Sequence, residues 1–481
     1  MSSTTGATTL DDPTATHVAA SAAVAADALA LVLTGDVHRP GDAGYEAALA
    51  GYNLALRHRP GLVVRAAGAE DVALTVVEAA AHGLGVGVRS TGHSAAPTGP
   101  ADVLLDTSGL DRLEIDPAAR TATVGAGVRW RDVLDAGAAH GLGGLCGSSP
   151  QVGVVGYTLG GGLGPLARTF GFAADHVRSL DVVTPAGELV TATPAQHQDL
   201  FWALRGGGGA FGVVTSMTFD LFPLTTVRAG TLWFDVADAP AVLHRWRELT
   251  AGLPDDVSTS VARLNLPPLP DLPEPLRGRA VLVVRYVRHG DLAAPDALVD
   301  ELRATATTLL DTVGDLPYER LGEVHADPDA PMPLVDRGGA LRELPPEAVD
   351  AFLAAVPDGS PVLMAEIRLL GGAVGRVPGI PNAVGGRDAA YTTFVGALAP
   401  PAGPSDVEAR LQDVLDALAP WATGGSLLNF AGPRDAVSAA LLRTAYGAST
   451  YERLVSLRRR LDPHGVLDPS ARWSVARRAA D

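Results

Sequence analysis

The sequence has no lysine: all 37 of its basic residues are arginine. That excludes Schiff-base and pyridoxal chemistry and the phosphate-binding lysine of a P-loop, each of which needs a side-chain amine. There is one cysteine, Cys146, so no disulfide can close within the chain and no cysteine cluster can hold zinc. A single thiol suits a reducing compartment. Positive charge is in deficit as well. Against 54 acidic residues the formal net charge is -17, and no basic face is left for nucleic acid. No grouping of histidines and carboxylates compels a metal site. Aromatic residues are only 5% of the chain, which supplies little to a stacking-lined sugar groove. A membrane span of ~20 apolar residues is missing too. The most apolar N-terminal stretch, residues 17–34, carries Asp27 and follows Asp11 and Asp12, where a secretory leader would be basic. We expect an amphipathic helix behind a short tail, and a cytoplasmic protein with no membrane partner.

What is present is ample apolar material, 47% of 481 residues, enough for two or three cores. Residues 61–94 read as strand, helix, strand, with Asp71 placed to cap the helix. A strand follows at 103–106, then a hairpin over 113–124 turning at Asp116-Pro117, and a helix over 131–140. Residues 141–175 are rich in glycine. A second hairpin turns at Pro185-Ala186-Gly187, and a short helix over 198–204 leads into a glycine loop and a strand ending at Pro223. After about residue 225 the glycine clusters thin out. Strand-like segments then alternate with helices near 239–253, 348–355 and 406–418, a pattern that suggests one sheet covered by helices. Residues 446–467 read as a charged helix ending at Asp462-Pro463. The expected division is a tail and helix over 1–40, a glycine-rich domain over 41–225, an α/β domain over 226–425, and a last segment over 426–481 that returns to the first domain.

Three glycine-rich segments ask for an explanation. Arg89-Ser90-Thr91-Gly92-His93-Ser94 follows a strand, and its small residues would let backbone N–H groups approach a phosphate. On its own this is a weak signal, since a histidine in a polar turn is more often an ordinary hydrogen-bonding residue. The run from Gly147 to Gly164 holds seven glycines in eighteen residues, at a high entropic cost. Close approach to a ligand explains it better than a tight barrel corner. Arg205 to Thr215 contains four successive glycines and reads as a hinge or a ligand loop. Within the second run, Gly162-Leu163-Gly164-Pro165-Leu166-Ala167 matches the dinucleotide fingerprint, with Asp181 downstream. Here, however, Asp181 opens a hairpin and no second mononucleotide half follows. A Rossmann NAD(P) dehydrogenase therefore stays open only as a minor alternative.

Taken together, in this order and spacing, the segments resemble the flavoproteins of the vanillyl-alcohol oxidase and p-cresol methylhydroxylase superfamily. More closely, they resemble the bacterial branch of the berberine-bridge-enzyme-like FAD-linked oxidoreductases. The matching stretches are RSTGHS, VGVVGYTLGGGLG, DLFWALRGGGGAFGVVTSMTFDLFP, EIRLLGGA, LLNFAG and YGASTYERLVSLRRRLDP. The resemblance spans roughly residues 45–470. It implies an α+β fold: a two-part FAD-binding domain of p-cresol methylhydroxylase type with an inserted α/β substrate domain.

The resemblance also implies an oxidase that takes a hydride from a small organic substrate to flavin N5. The substrate would be an alcohol, sugar, amine or natural-product intermediate, with O₂ or another acceptor reoxidising the flavin. A flavin-binding protein without turnover is the alternative from another class. By the same resemblance His93 bonds covalently to the flavin 8α position. A second link would need a cysteine where this chain has Ser149, so one link is expected, and Cys146 is read as a buried small residue. Arg89 belongs to the same loop. Ser90, Thr91, Gly92 and Ser94 would face the pyrophosphate, with Ser148, Gly153, Gly156, Gly160, Gly161 and Gly162 on its other side. Gly212, Val213 and Val214 match the adenine-side strand, and Asn429 matches an asparagine near the flavin ring. Val152 stands where some relatives separate oxidases (Val) from dehydrogenases (Leu). The base is where the carry-over breaks: the family's tyrosine position is Leu427, which cannot ionise. Tyr391 and Tyr157 are the nearest catalytic candidates, and Tyr157 is also a candidate cofactor contact. Glu366 and Arg368 lie on a plausible pocket strand, where Glu366 would also serve as an arginine's partner.

Overall fold

Alanines 22, 25 and 26 and Leu29 recur at helical spacing in the first helix, Pro13–Val32, and all four are buried. In the computed structural model, which describes residues 13–94, 96–400, 405–432 and 439–467, this stripe joins the core beneath a four-stranded sheet. The tail expected ahead of the helix lies outside the described residues. The sheet runs 36–38, 62–65, 102–106, 85–89 in spatial order. Its last three strands are parallel, and the helix Ala69–Ala81 makes one of the crossovers. Asp71 does not cap that helix. The helix begins one turn earlier in register, after Gly68. The buried Asp71 carboxylate instead accepts the backbone N–H groups of Thr34, Gly35 and Ala67 at 2.8–3.0 Å.

Beside it stands a five-stranded antiparallel sheet, ordered 113–116, 121–125, 213–220, 177–183, 189–192. This settles the fingerprint at Gly162–Ala167. Asp181 pairs antiparallel with Thr191 in a hairpin and accepts its hydroxyl at 2.7 Å. No βαβ unit surrounds it, so the dinucleotide reading does not hold.

The second part is a single large antiparallel sheet. Its spatial order is 308–311, 226–235, 280–288, 257–265, 364–369, 391–398, 334–341, with 314–317 also pairing 226–235. Alternation along Ala280–Arg288 decides its two faces. Leu282, Val284 and Tyr286 pack into the core under the helices Ala239–Thr250, Ala297–Thr305, Pro346–Ala355 and Ser405–Ala417. Burying each such side chain contributes roughly 1.5–3 kcal/mol. The opposite face carries Arg285 and looks toward the glycine-rich part. The chain then returns to the first domain. Tyr451, Leu454 and Leu457 of the helix Ala448–Leu461 enter its core, and Val86 donates to Val466 O at 2.7 Å.

Candidate active site

The loop after strand Gly85–Arg89 is held from below. Arg89 is buried, and its guanidinium donates to the carbonyls of Leu49 and Ala48 at 2.7 Å and to Asp106 at 2.6 Å. Those N–H groups serve the loop's own base, so Arg89 supports the loop rather than reaching outward. The next turn needs glycine: Gly92 has φ +76°, and a Cβ there would stand 2.9 Å from Cα of Gly51. The backbone N–H groups of Tyr52 and Asn53 donate to Thr91 O and Gly92 O.

His93 is thereby fixed in place. Its ring stacks on Tyr52 with centroids 3.9 Å apart and planes 11° from parallel, and Nδ1 shares a hydrogen bond with the Thr91 hydroxyl at 2.8 Å. Burial, aided by the Arg129 charge, lowers its pKa to about 4, so the imidazole is neutral near pH 7. Its buried Nε2 has no protein partner, and neither has the buried hydroxyl of Ser90.

The long glycine run comes up against this loop. A Cβ on Gly153 would lie 3.3 Å from Ser90 Oγ. Gly153 precedes the short helix Val154–Leu159, which ends at Gly160. Ser149 is buried and Ser148 half-buried just before it, while Ser94 and Gly156 are exposed. Val152 is half-buried and its carbonyl accepts the Trp130 N–H. Gly161 and Gly162 carry on the turn at positive φ. Asn429, on the C-terminal return, donates Nδ2–H to the Tyr157 carbonyl at 2.8 Å. The structure thus brings Ser90, Thr91, His93, Gly153, Tyr157, Gly160 and Asn429 into one region. Gly212, Val213 and Val214 lie behind it, at the start of the strand packed against the helix Val154–Leu159. Val213 and Val214 pair with Val183 and Val182, their side chains buried in the five-stranded sheet.

Both tyrosine candidates change role. Tyr391 packs in the helix-covered core, its hydroxyl shared with Thr250 at 3.2 Å and its ring 6.0 Å from Trp246. It is turned away from the glycine loops and cannot act there. Tyr157 meets Trp130 edge-on at 5.7 Å. Its buried hydroxyl has no protein partner, and burial holds its pKa well above the ordinary value. It is a hydrogen-bond donor, not a base. Leu427 is buried among Leu163, Phe172 and Phe430. Cys146 is buried too, donating weakly to Gly147 O, with its thiol pKa pushed up to about 12 by burial.

A cavity opens between the segment that follows the glycines, at Leu163, Gly164 and Ala167, and the free face of the large sheet, at Ser258, Arg285 and Arg368. Glu366 is fully buried behind it. One carboxylate oxygen accepts Ser260 Oγ at 2.7 Å and Arg285 at 2.8 Å, and the other accepts Arg368 at 2.7 Å. Burial alone would raise the Glu366 pKa, but Arg368 and Arg285 overcome it and hold it well below the usual range. The pairing expected for Glu366 is therefore present, twice over. Sequence reasoning missed Tyr52, Ser258, Arg285 and His325. None lies in a recognisable motif, and only the fold assembles them. Among the described residues no group of three or more His, Cys, Asp or Glu is placed to hold a metal ion, and no helix is long and apolar enough to cross a membrane.

Residues 60–193 match the family model described as an FAD binding domain. In sequence the chain is similar to (R)-6-hydroxynicotine oxidase of Paenarthrobacter nicotinovorans, 35% identical over 196 residues, which are 40% of this chain and 43% of that protein. In structure it is similar to Physcomitrella patens BBE-like 1 at TM-score 0.79 and 22% identity, covering 95% of this chain and all of that one. The chain carries an FAD binding domain, and its fold is that of the berberine-bridge-enzyme-like proteins. The curated relative is matched over less than half its length. The same fold is shared by a glucooligosaccharide oxidase from Acremonium strictum, at TM-score 0.78 and 19% identity over 93% of this chain and 97% of that one. That protein is described as carrying 6-S-cysteinyl, 8α-N1-histidyl FAD. The residues of this chain suit an FAD. Ser90 Oγ, His93 Nε2 and Tyr157 Oη are buried polar atoms that lack protein partners on the converging loops, and such atoms are costly unless a ligand or water satisfies them.

Proposed function

We propose that the chain is an FAD-dependent oxidase that takes a hydride from a small organic substrate, with the flavin attached once, through His93. The observation that carries this reading is the setting of His93: stacked on Tyr52, hydrogen-bonded at Nδ1, neutral, and unpartnered at Nε2. A neutral imidazole held in one orientation is a competent nucleophile. Bound flavin supplies hydride acceptance at N5 and electron transfer to an acceptor, and a covalent tether raises its potential.

The chain's own residues divide the remaining work. Ser90, Thr91, Gly92, Gly153 and Gly160–Gly162 present small groups and backbone N–H toward the cofactor. Ser94, Ser148, Ser149 and Gly156 flank them, with Gly212, Val213 and Val214 toward the adenine. Asn429 clamps the C-terminal return onto the loop, and Tyr157 offers one hydroxyl proton. With Ser149 at the position of a second link and Cys146 donating to Gly147 O, a single bond is the consistent reading. Val152 and the named oxidase relative support O₂ as acceptor.

We assign residues 41–225 and 426–481 to the flavin domain and 226–425 to the substrate domain, and place the protein in the cytoplasm. The lone cysteine supports that compartment, and fractionation of the source cells would test it. An alcohol, a sugar and an amine define the first panel of substrates. The decisive experiment is acid precipitation of the purified protein. A yellow pellet that becomes colourless in His93→Ala is the expected result. A yellow supernatant from the unaltered protein would overturn the linkage, and two colourless fractions after expression with added FAD would overturn the flavin reading.

A further inference from the structure

We propose that the cavity between Gly164 and the large sheet recognises an anionic group of the substrate, a carboxylate, and rejects cations. The inference rests on the flavin-oxidase reading only for calling the occupant a substrate. Its evidence is a count of charge and of unused hydrogen-bond donors. Two guanidinium groups, Arg285 and Arg368, line the cavity, their side chains 5% and 13% exposed. One carboxylate, Glu366, serves both. The other arginine on the wall, Arg168, is used elsewhere: its N–H groups go to the carbonyls of Val257, Leu253, Pro254 and Leu370, with Asp255 at 3.9 Å. His325 also lines the cavity and is neutral at pH 7, because burial and then the Arg285 charge lower its pKa to about 4. The wall is therefore left with at least one positive charge that no carboxylate among the described residues balances, and a buried unbalanced charge is costly.

The unused hydrogen-bonding groups agree in kind. Buried Arg285 Nε, Ser258 Oγ and both ring nitrogens of His325 have no hydrogen-bond partner, the His325 Nε2 lying 3.7 Å from a Glu366 oxygen. Both oxygens of Glu366 are already taken, so no free carboxylate faces the cavity to receive an ammonium group. A planar anion would accept from Arg285 Nε, the Ser258 hydroxyl and the outer N–H groups of Arg368, in the fork geometry arginine favours. The cavity's other wall is the segment that continues the flavin loop. The hydroxyl of Tyr157 lies 3.1 Å from where a Cβ on Gly164 would stand, so an anion held here is beside the cofactor region.

The test is calorimetric titration of the yellow holoprotein with two isosteric series: benzoate, benzamide and benzylamine, and butyrate, butyramide and butylamine. We expect the anion to bind tenfold or more tightly than its amide in at least one series, the gain typical of a charged hydrogen bond, and the amine to bind weakest. Arg368→Met, which leaves Arg285 and Glu366 as a neutral pair, should cost roughly tenfold in anion affinity, and Arg368→Lys should retain it. Glu366→Gln should shift affinity the other way and tighten the anion. A melting curve on each variant reports folding separately. The proposal is overturned if amide or amine binds as tightly as the anion in both series. It is overturned equally by no anion binding up to roughly 10 mM, or by Glu366→Gln leaving anion affinity unchanged. A colourless preparation would instead fail the flavin reading, before any titration.

Discussion

The side-chain amide of Asn429 sits directly over Gly160 and donates to the carbonyl of Tyr157 at 2.8 Å. This one contact ties the chain's last segment to the glycine run some 270 residues earlier, and it exists because position 160 has no Cβ.

A Cβ at position 160 would collide with the Asn429 amide. Gly160→Ala is therefore expected to push Asn429 off the loop and cost about 1–3 kcal/mol, as overpacking generally does. A thermal melt and the ratio of visible to protein absorbance check it: both should fall together. Asn429→Ala should lower the ratio with a smaller loss of stability.

Thr91 orients His93 through a single hydrogen bond at 2.8 Å. Thr91→Val keeps shape and removes that bond. The expected outcome is a smaller fraction of acid-precipitable flavin, with a stability change near the ~1 kcal/mol of an ordinary hydrogen bond. An unchanged fraction would show that Tyr52 stacking alone aligns the ring.

Cys146 is buried, and its thiol pKa is raised to about 12, so at neutral pH it is neither a thiolate nor accessible. Cys146→Ala should leave the acid-precipitable flavin intact, and a thiol reagent should label the native protein only after unfolding. Loss of pellet colour in this variant would show that Cys146 rather than His93 holds the flavin, and a shifted absorption spectrum of the pellet flavin would reveal a second link.

His58 is buried, shares a hydrogen bond with Thr98 at 3.1 Å, and has its pKa lowered from 6.5 to about 4 by burial and then by Arg89. Below pH 6.5 the unfolded chain binds the proton that the folded chain refuses, so stability falls as pH drops from 6.5 toward 4. The loss should reach roughly 2 kcal/mol near pH 5. Urea midpoints at about pH 7.5 and pH 5 should converge in His58→Gln relative to the unaltered protein, by an amount of that order.

How far the site was legible varies residue by residue. The loop Arg89–Ser94 and the run from Gly147 to Gly164 stood out, because close backbone approach demands glycine whatever surrounds it. Strand Leu62–Arg65 and helix Gln198–Leu204 were equally plain, since short apolar runs with turn residues on either side encode local structure. Tyr391 was not legible. Its strand, Tyr391–Leu398, carries Tyr, Thr, Val and Ala on one face and Thr, Phe, Gly and Leu on the other, so polarity does not mark an inside. Pairing with Leu369 and Leu341 turned the tyrosine toward the helices. The fingerprint at Gly162–Ala167 misled for the related reason that a six-residue pattern does not encode whether the next strands run parallel.

The sequence by itself determined the chemistry that was out of reach, through its missing lysines and single thiol, and where backbone had to approach a ligand closely. Those properties belong to residue types and short spacings. Only the tertiary structure decided what the substrate face presents. Ser260 and Arg285 meet Glu366 across separations of 106 and 81 residues, and the balance of charge in that cavity is a sum over strands whose order no local pattern specifies.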